Sequence, residues 1–202
     1  KEVARGMSCP TVDDMARGKR VCRYLAGTRR LYTELVASGG PWVLNAYVDS
    51  DWGADKIVRR STSSGHLFLN DCIILSYSRT QATTATSSAE AEVYAMGSGA
   101  CESLGVKSLM EECFPGMMVQ VVVHSDSSAG LSSQSRLGLG KLKHVHLRHM
   151  FLQGLLREGR LTATKVNGSV NSSDLGTKYL EKGIFERHRW AAGLRSPGGV
   201  VA

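Results

Sequence analysis

Residues 119–123, Val-Gln-Val-Val-Val, constrain the fold of this chain more than any other segment, because four of the five are β-branched. Pro115-Gly116 marks a turn before this run, and Asp126 follows it closely. A β-branched run of this length is typical of a central strand that is covered on both faces of its sheet. The sequence therefore predicts a fold built around a buried strand that ends near a carboxylate.

The patterns on either side of this strand predict further strands and helices. Strands are predicted at residues 42–48, 65–69, 72–78, 119–123 and 161–166. Helices are predicted at residues 10–30, 87–113, 143–157 and 172–194, with a short one after Asp126. Strands that follow one another directly can pair antiparallel, whereas strands separated by helices run parallel. This order predicts an α/β fold with a mixed sheet flanked by helices.

The clearest boundary signal is Ala-Ser-Gly-Gly-Pro at residues 37–41. It separates a helical segment, residues 1–40, from a main domain, residues 41–194, and residues 195–202 are predicted to be a loose tail. The chain begins with Lys1 and shows no signal-peptide pattern, so we interpret it as a piece of a longer protein. No apolar run approaches the roughly 18–20 residues of a membrane span, so no membrane partner is predicted.

The charge balance predicts a polyanionic partner. The 25 Lys and Arg residues against 18 Asp and Glu residues give a net charge of +7, which favours nucleic acid. Candidate contacts lie in two basic stretches, namely Arg59, Arg60 and Ser61 after the first strand of the main domain, and Lys143, His144 and Arg148 on the predicted basic helix. A surface turn and a solvated helix face are the alternatives for the two stretches.

Two aspartates follow predicted strands of the main domain. Asp49 follows the first strand, and Asp126 follows the buried one. Sites in open α/β sheets form at the carboxyl ends of strands. If the two strands are neighbours, the carboxylates face each other and repel unless a cation lies between them. Oxygen ligands favour Mg²⁺ or Mn²⁺ over Zn²⁺. One glutamate and one more aspartate would complete a two-metal site for phosphodiester hydrolysis.

Each of these carboxylates also has an ordinary structural interpretation. An aspartate at the end of a strand commonly forms a turn or caps a helix. Asp174 follows Ser172-Ser173, which is a good helix start by itself. The set of four carboxylates, rather than any one of them, therefore supports a metal site.

Six motifs resemble, in order and spacing, those of the ribonuclease H domain of copia-type LTR retrotransposon Pol polyproteins. They are Tyr47-Val-Asp-Ser-Asp-Trp-Gly53, Arg59-Arg-Ser-Thr-Ser-Ser-Gly65, Ser87-Ser-Ala-Glu-Ala-Glu92 with Tyr94-Ala95, Asp126-Ser-Ser-Ala129, Lys143-His-Val145 with Arg148 and Phe151, and Asp174-Leu-Gly-Thr-Lys178. The resemblance extends from about residue 10 to about residue 190. His146 and Gly176 depart from it, since the family usually has an acidic and an aliphatic residue there.

This resemblance implies a ribonuclease H-like fold, with a five-stranded mixed sheet flanked by helices. It implies that Asp49, Glu92, Asp126 and Asp174 are catalytic metal ligands for two Mg²⁺ ions, which Mn²⁺ can replace. The implied reaction is cleavage of the RNA strand of an RNA–DNA hybrid during reverse transcription. The implied location is a cytoplasmic virus-like particle, with no secretion.

The resemblance also divides the chain by function. Residues 41–194 correspond to the ribonuclease H domain. Residues 1–40 resemble the end of the reverse transcriptase region, chiefly through Arg-Tyr-Leu-Ala-Gly-Thr at residues 23–28. The reverse transcriptase portion of the same polyprotein is therefore an expected partner, together with the hybrid.

Two assignments depend on the motif match, because the residue pattern leaves both alternatives open. Asp49 and Asp51 share a face of one strand, and the match to the strand-end aspartate favours Asp49. Glu90 and Glu92 lie about 200° apart on a helix, and the match that includes Ala95 favours Glu92. Trp52 could pack under the site or fill the core, and the core is the expected place.

Two other functional classes fit the sequence less well. A ribonuclease H-fold module that is catalytically weak or inactive, and that binds hybrid or the polymerase, would lose carboxylates, whereas all four are present here. A DNA-strand transferase of the same fold would have its glutamate last in the chain rather than second.

Overall fold

The computed structural model describes residues 2–36, 39–54, 59–135 and 146–196. They form two compact units, one of residues 1–34 with 194–202 and one of residues 35–193. The helices are α1 (Glu2–Arg5), α2 (Val12–Gly27), α3 (Ser88–Cys113), α4 (Ser128–Ser135), α5 (His146–Arg157) and α6 (Lys182–Ala191), with 3₁₀ turns at Gly168–Val170 and Ser172–Gly176. The strands are β1 (Tyr32–Thr33), β2 (Trp42–Ser50), β3 (Thr62–Leu69), β4 (Cys72–Thr80), β5 (Val119–Ser125), β6 (Thr162–Lys165) and β7 (Leu194–Arg195).

The larger unit is built on a five-stranded sheet in the order β4-β3-β2-β5-β6. Strands β2, β3 and β4 pair antiparallel, whereas β5 runs parallel to both β2 and β6. The β-branched run lies in β5, second from the edge, between the two strands with which it pairs in parallel. The predicted fold class is confirmed, because this is the mixed sheet flanked by helices that the resemblance to ribonuclease H domains implies.

Helix α3 packs against β2, β3 and β5. The apolar side chains of this helix divide between two buried groups. Met96 and Ala100 join the main core, against which Leu104 packs, whereas Val93 lies in a smaller cluster with Ala85, Ala91 and Tyr94. The main core also contains Leu44, Ala46 and Val48 of β2 and Val121 and Val123 of β5. The predicted burial of strand β5 is confirmed on one face only, because Val119, Val121 and Val123 are buried whereas Gln120 is exposed and Val122 is partly buried.

The smaller unit contains the predicted N-terminal helix and an unpredicted strand pair. Thr11 caps α2 in a capping box, in which its side chain accepts from the Asp14 N–H and the Asp14 side chain accepts from the Thr11 N–H. None of the α2 residues is buried in the part of the chain that the structure describes. Arg195, predicted to begin the loose tail, pairs with Tyr32 of β1.

The predicted helix at residues 172–194 is wrong over its first ten residues. Ser172–Gly176 forms a 3₁₀ turn, and α6 begins only at Lys182. The serines are not the cap, because the Asn171 side chain accepts the Ser173 N–H at 3.4 Å. The short helix predicted after Asp126 is α4, which extends to Ser135. Among the described helices, none combines the length and hydropathy that a membrane crossing requires.

The closest approach of α3 to β2 occurs at Gly99. A Cβ atom added there would lie 2.5 Å from Cγ1 of Val48, well inside van der Waals contact. At Gly97, two residues earlier, a Cβ would meet nothing within 4 Å among the described residues. The helix and the sheet therefore pack closely at Gly99, whereas Gly97 leaves space for a side chain among the described residues.

We expect Gly99→Ala to lower the free energy of unfolding by about 1–3 kcal/mol, because the added methyl overpacks the contact with Val48. Gly97→Ala is the matched control, and it should leave stability unchanged or raise it by up to about 1 kcal/mol through helix propensity. Urea unfolding of the two variants measures the difference. Equal stability of both would contradict the close approach.

Candidate metal centre

Three aspartates converge at one edge of the sheet. Asp49 is the second-last residue of β2, Asp126 directly follows β5, and Asp174 lies in the 3₁₀ turn Ser172–Gly176. One carboxylate oxygen from each lies within 4.8 Å of the others. We call these three residues the carboxylate cluster. The parallel register pairs Tyr47 with His124, so two more residues along each strand bring Asp49 beside Asp126.

Glu92 lies next to this cluster, in the second turn of α3. Its Oε1 accepts hydrogen bonds from the Ser50 hydroxyl at 2.9 Å and from the Ser50 N–H at 3.3 Å. Its Oε2 is buried and has no hydrogen-bond partner in the described part of the chain. The negative charges of Asp49 and Asp126 both act on Glu92. Ser50 therefore holds the carboxylate beside the cluster with one oxygen unengaged.

The two rival carboxylates are engaged in local structure instead. Glu90 is buried, and its Oε2 accepts the Thr86 N–H and hydroxyl at 2.7 and 2.6 Å, while its Oε1 accepts the Tyr94 hydroxyl at 2.9 Å. Asp51 accepts the Thr62 N–H through Oδ1 and donates its own N–H to the Thr62 carbonyl. The geometry therefore favours Glu92 over Glu90 and Asp49 over Asp51 as members of the site.

The 3₁₀ turn that carries Asp174 is fixed to the sheet on both sides. The buried Asn171 side chain donates to the Val48 carbonyl of β2 at 3.0 Å. The Ser78 hydroxyl of β4 donates to the Gly176 carbonyl at 2.7 Å. A Cβ on Gly176 would lie 2.1 Å from Oγ of Ser64, so only glycine allows this close approach to β3. The departure from the family pattern at residue 176 thus has a steric reason.

Thr177 and Lys178 complete the surroundings of the cluster, and no role was predicted for either. The Thr177 hydroxyl donates to Oδ2 of Asp49. The Lys178 ammonium lies 2.8 Å from Oδ1 of Asp174 and 3.3 Å from Oδ2 of Asp49. The sequence signals for these contacts are the motif Asp174-Leu-Gly-Thr-Lys178, which contains both residues, and the four-residue separation of Asp174 and Lys178.

Burial and mutual repulsion shift the acid–base behaviour of the site. Burial raises the pKa of Asp49 to about 6, against the lowering effects of Thr177 and Lys178. Burial, with the charge of Asp49 next, raises the pKa of Glu92 to about 8. Burial alone would lower the pKa of Lys178, but its contacts with Asp174 and Asp49 outweigh burial and raise it. The site thus disfavours its own negative charge.

The donor set fits a hard divalent cation. Three convergent aspartate oxygens and the unengaged, buried Oε2 of Glu92 are all carboxylate oxygens, which suit Mg²⁺ or Mn²⁺ better than Zn²⁺. A cation would also offset the burial, and the weaker repulsion, that raise the pKa values of Asp49 and Glu92. The residues present therefore fit the metal that the resemblance implies.

The predicted nucleic-acid contacts are only partly described. Arg59 and Arg60 are exposed, and Arg59 has a positive φ of 53°. Ser61 is buried, and its hydroxyl accepts the Gly53 N–H at 3.0 Å, so its role here is to hold the loop. Lys143, His144 and the side chain of Arg148 lie outside the described residues.

The expectation that Trp52 fills the core is wrong. Its side chain is 59% exposed, and its indole N–H donates to the Ala85 carbonyl at 3.2 Å. It therefore lies on the surface, in a fixed orientation, three residues after Asp49.

We expect the protein in EDTA to lose stability as pH rises, by on the order of a few kcal/mol from Glu92. The folded pKa of Glu92 is raised from 4.5 to about 8, so the neutral carboxyl stabilises the fold fully below pH 4.5. That stabilisation is lost as pH rises through about 8. Glu92→Gln, which stays neutral, should show a flatter pH dependence of urea unfolding.

His66 has the opposite effect on the pH dependence of stability, because burial lowers its pKa to about 4. Both proteins contain His66, so its effect cancels when they are compared. The same pH dependence in both proteins would show that Glu92 is not held in a repulsive, buried setting.

The chain is similar in sequence to transposon polyproteins, although no protein-family model matches it. It is 27% identical over 197 residues to the retrovirus-related Pol polyprotein from transposon TNT 1-94 of Nicotiana tabacum, which covers 96% of this chain and 14% of that protein. It is 27% identical over 181 residues to the one from transposon RE1 of Arabidopsis thaliana, covering 89% of this chain and 12% of that protein. The chain thus spans a small part of these curated relatives.

Among solved structures, the chain is similar to the N-terminal ribonuclease H domain of a Mycobacterium tuberculosis protein, solved as a fusion with maltose-binding protein. The sequence identity is 15%, the match covers 75% of this chain and 96% of that chain, and the TM-score is 0.49. The sequence matches confirm the resemblance to retrotransposon Pol polyproteins that the motifs indicate. Over nearly its whole length, this chain is a homologue of the retrovirus-related Pol polyproteins of transposons.

Proposed function

We propose that this chain carries a ribonuclease H domain that cleaves the RNA strand of RNA–DNA hybrids by two-metal-ion hydrolysis during reverse transcription. The observation that carries the proposal is the convergence of the carboxylate cluster, with oxygens of Asp49, Asp126 and Asp174 within 4.8 Å of one another. Its members come from sequence positions far apart, and each corresponds to a carboxylate of the resembled motifs. Homology to transposon Pol polyproteins supports the same activity.

In this proposal, Asp49, Glu92, Asp126 and Asp174 hold the divalent ions, with Mg²⁺ as the expected metal and Mn²⁺ as a substitute. When bound, a pair of such ions supplies the positive charge that activates a water molecule and stabilises the leaving 3′-oxygen. The rest of the site holds these ligands in place. Ser50 orients Glu92, Thr177 orients Asp49, and the Asn171 contact with β2 holds the turn that carries Asp174.

The substrate proposal depends on charge and position. The net charge of +7 favours a polyanion, and the exposed Arg59 and Arg60 lie on the segment that joins β2, which carries Asp49, to β3. Lys143, His144 and Arg148 are proposed as further backbone contacts. Discrimination for RNA would come from contacts with its 2′-hydroxyl groups near the site. The reverse transcriptase portion of the polyprotein, to which residues 1–40 are proposed to belong, would deliver the hybrid.

We expect the protein to cleave a labelled RNA–DNA hybrid in Mg²⁺, and Asp126→Asn to cleave it at least about 100-fold more slowly, because metal catalysis lowers the activation barrier by several kcal/mol. Gel analysis of the RNA strand measures the rates. Single-stranded RNA and RNA duplexes of the same sequence are the substrate controls.

Two results would overturn parts of the proposal. If the folded, unmutated domain with its polymerase region supplied cleaves no hybrid, the module that only binds hybrid or polymerase becomes the better description. If single-stranded RNA is cleaved at the same rate, the hybrid specificity is wrong.

We expect Glu92→Gln and Glu90→Gln to separate metal binding from helix capping. Glu92→Gln should reduce the rise in melting temperature that Mg²⁺ produces, because one ligand oxygen loses its charge. Glu90→Gln should lower the melting temperature with and without Mg²⁺, because Glu90 holds Thr86 and Tyr94, and it should keep the Mg²⁺-dependent rise. If instead Glu90→Gln abolishes that rise and Glu92→Gln keeps it, the assignment is reversed.

A further inference from the structure

The Lys178 ammonium lies between two of the carboxylates that form the cluster. Its Nζ is 2.8 Å from Asp174 and 3.3 Å from Asp49, within the range of an ion pair with each. The Thr177 hydroxyl reaches the same Oδ2 of Asp49 that Nζ approaches. A positive group of this chain therefore occupies the space in which a cation relieves the repulsion between the two aspartates.

We propose that Lys178 is the internal counter-ion of the carboxylate cluster and competes with the first divalent metal ion for the oxygens of Asp49 and Asp174. The inference depends on the proposed function, since it presumes that the cluster binds metal. It makes Lys178 a positioning residue, which acts on the metal ligands rather than on the substrate.

The backbone sets the place of this lysine. The amide N–H groups of Thr177 and Lys178 both donate to the Asp174 carbonyl, at 3.2 and 3.0 Å. The turn therefore brings the Lys178 side chain back over the carboxylate of Asp174. Because Asn171 fixes the same turn to β2, the path of the chain also directs the ammonium toward Asp49. The ion pairs thus follow from the turn rather than from a chance arrangement of a surface side chain.

The exposures of the partners allow the ammonium to leave without unfolding. The side chain of Lys178 is 44% exposed, whereas those of Asp49 and Asp174 are 2% and 13% exposed. The carboxylates are therefore fixed in the protein, and the lysine approaches them from the solvent side on a flexible stem. A metal ion can displace the ammonium while the ligands stay where they are.

The charges leave room for this exchange. The cluster and Glu92 present four carboxyl groups, and Lys178 contributes a single positive charge near two of them. One divalent ion carries twice the charge of the lysine. Its coordination by carboxylate oxygens is stronger than a partly solvated ion pair. Lysine and metal then stabilise the same oxygens in turn, and binding of one opposes binding of the other.

The test is Mn²⁺ binding at one fixed pH, measured by calorimetry and by electron paramagnetic resonance, on the whole chain and on three variants. Lys178→Met removes the ammonium and keeps most of the stem, and it should lower the Kd for Mn²⁺ by about 5- to 100-fold. Lys178→Arg keeps the charge and should stay close to the unmutated Kd.

Lys165→Met is the matched control for loss of one nearby positive charge. Lys165 ends β6, beside the end of β5 that leads to Asp126, but its ammonium contacts the Ser128 hydroxyl. It should change the Kd for Mn²⁺ by less than about threefold, because exposed charges act weakly at a distance.

A second measurement separates competition from a structural role. In EDTA, Lys178→Met should lower the melting temperature by about 2–8 °C, because Asp49 and Asp174 lose their counter-ion. In saturating Mn²⁺ the difference from the unmutated protein should shrink or vanish, as reciprocity between the two cations requires. A purely structural lysine would cost the same stability in both conditions.

The outcomes distinguish the existence of the metal site from the competition by Lys178. If the unmutated protein binds Mn²⁺ and Asp126→Asn abolishes that binding, the metal site stands. An unchanged or weaker affinity in Lys178→Met then overturns the competition alone, as does an equal gain in affinity in Lys165→Met. If the unmutated protein binds no Mn²⁺, the metal site and the competition are both wrong.

Discussion

The parallel pairing of β2 with β5 is the constraint on which the rest of the site depends. It brings Asp49 and Asp126 side by side at the ends of two strands that each contribute three buried side chains to the core, namely Leu44, Ala46 and Val48 of β2 and Val119, Val121 and Val123 of β5. Two carboxylates in such a place repel each other and are poorly solvated. The neighbouring groups stabilise these carboxylates. Thr177 and Lys178 supply a hydroxyl and an ammonium to Asp49, and Ser50 donates to one oxygen of Glu92.

Much of the fold follows from local patterns. The β-branched run of β5 predicts a strand in the interior of the sheet, although only one face of that strand is fully buried. The direct connections among β2, β3 and β4 predict antiparallel pairing. Asp49 and Asp126 are also accessible to sequence reasoning, because both stand at strand ends and strand ends of parallel neighbours meet. Glu92 is harder to predict, because helical geometry alone does not exclude Glu90 as the ligand. Only the three-dimensional structure shows that Glu90 accepts hydrogen bonds from Thr86 and Tyr94.

Other features depend on contacts between distant segments and have no local signal. Ser172-Ser173 looks like a helix start, but the Asn171 side chain donates to Val48, over one hundred residues away, and a 3₁₀ turn forms there instead. The surface position of Trp52 depends likewise on the Ala85 carbonyl of another loop. The role of Lys178 becomes visible only when the turn is placed beside Asp49. A pattern read along the chain cannot supply these pairings.

The 3₁₀ turn at Ser172–Gly176 has a consequence for shortened copies of the chain. All five strands of the main sheet are complete by Lys165, whereas Asp174, Thr177 and Lys178 follow it. A stop codon between residues 166 and 173 would leave every strand of the sheet encoded and would remove one carboxylate together with its counter-ion. A chain truncated there would keep the sheet scaffold and lose part of the site, so the presence of the sheet in a relative does not establish an intact site.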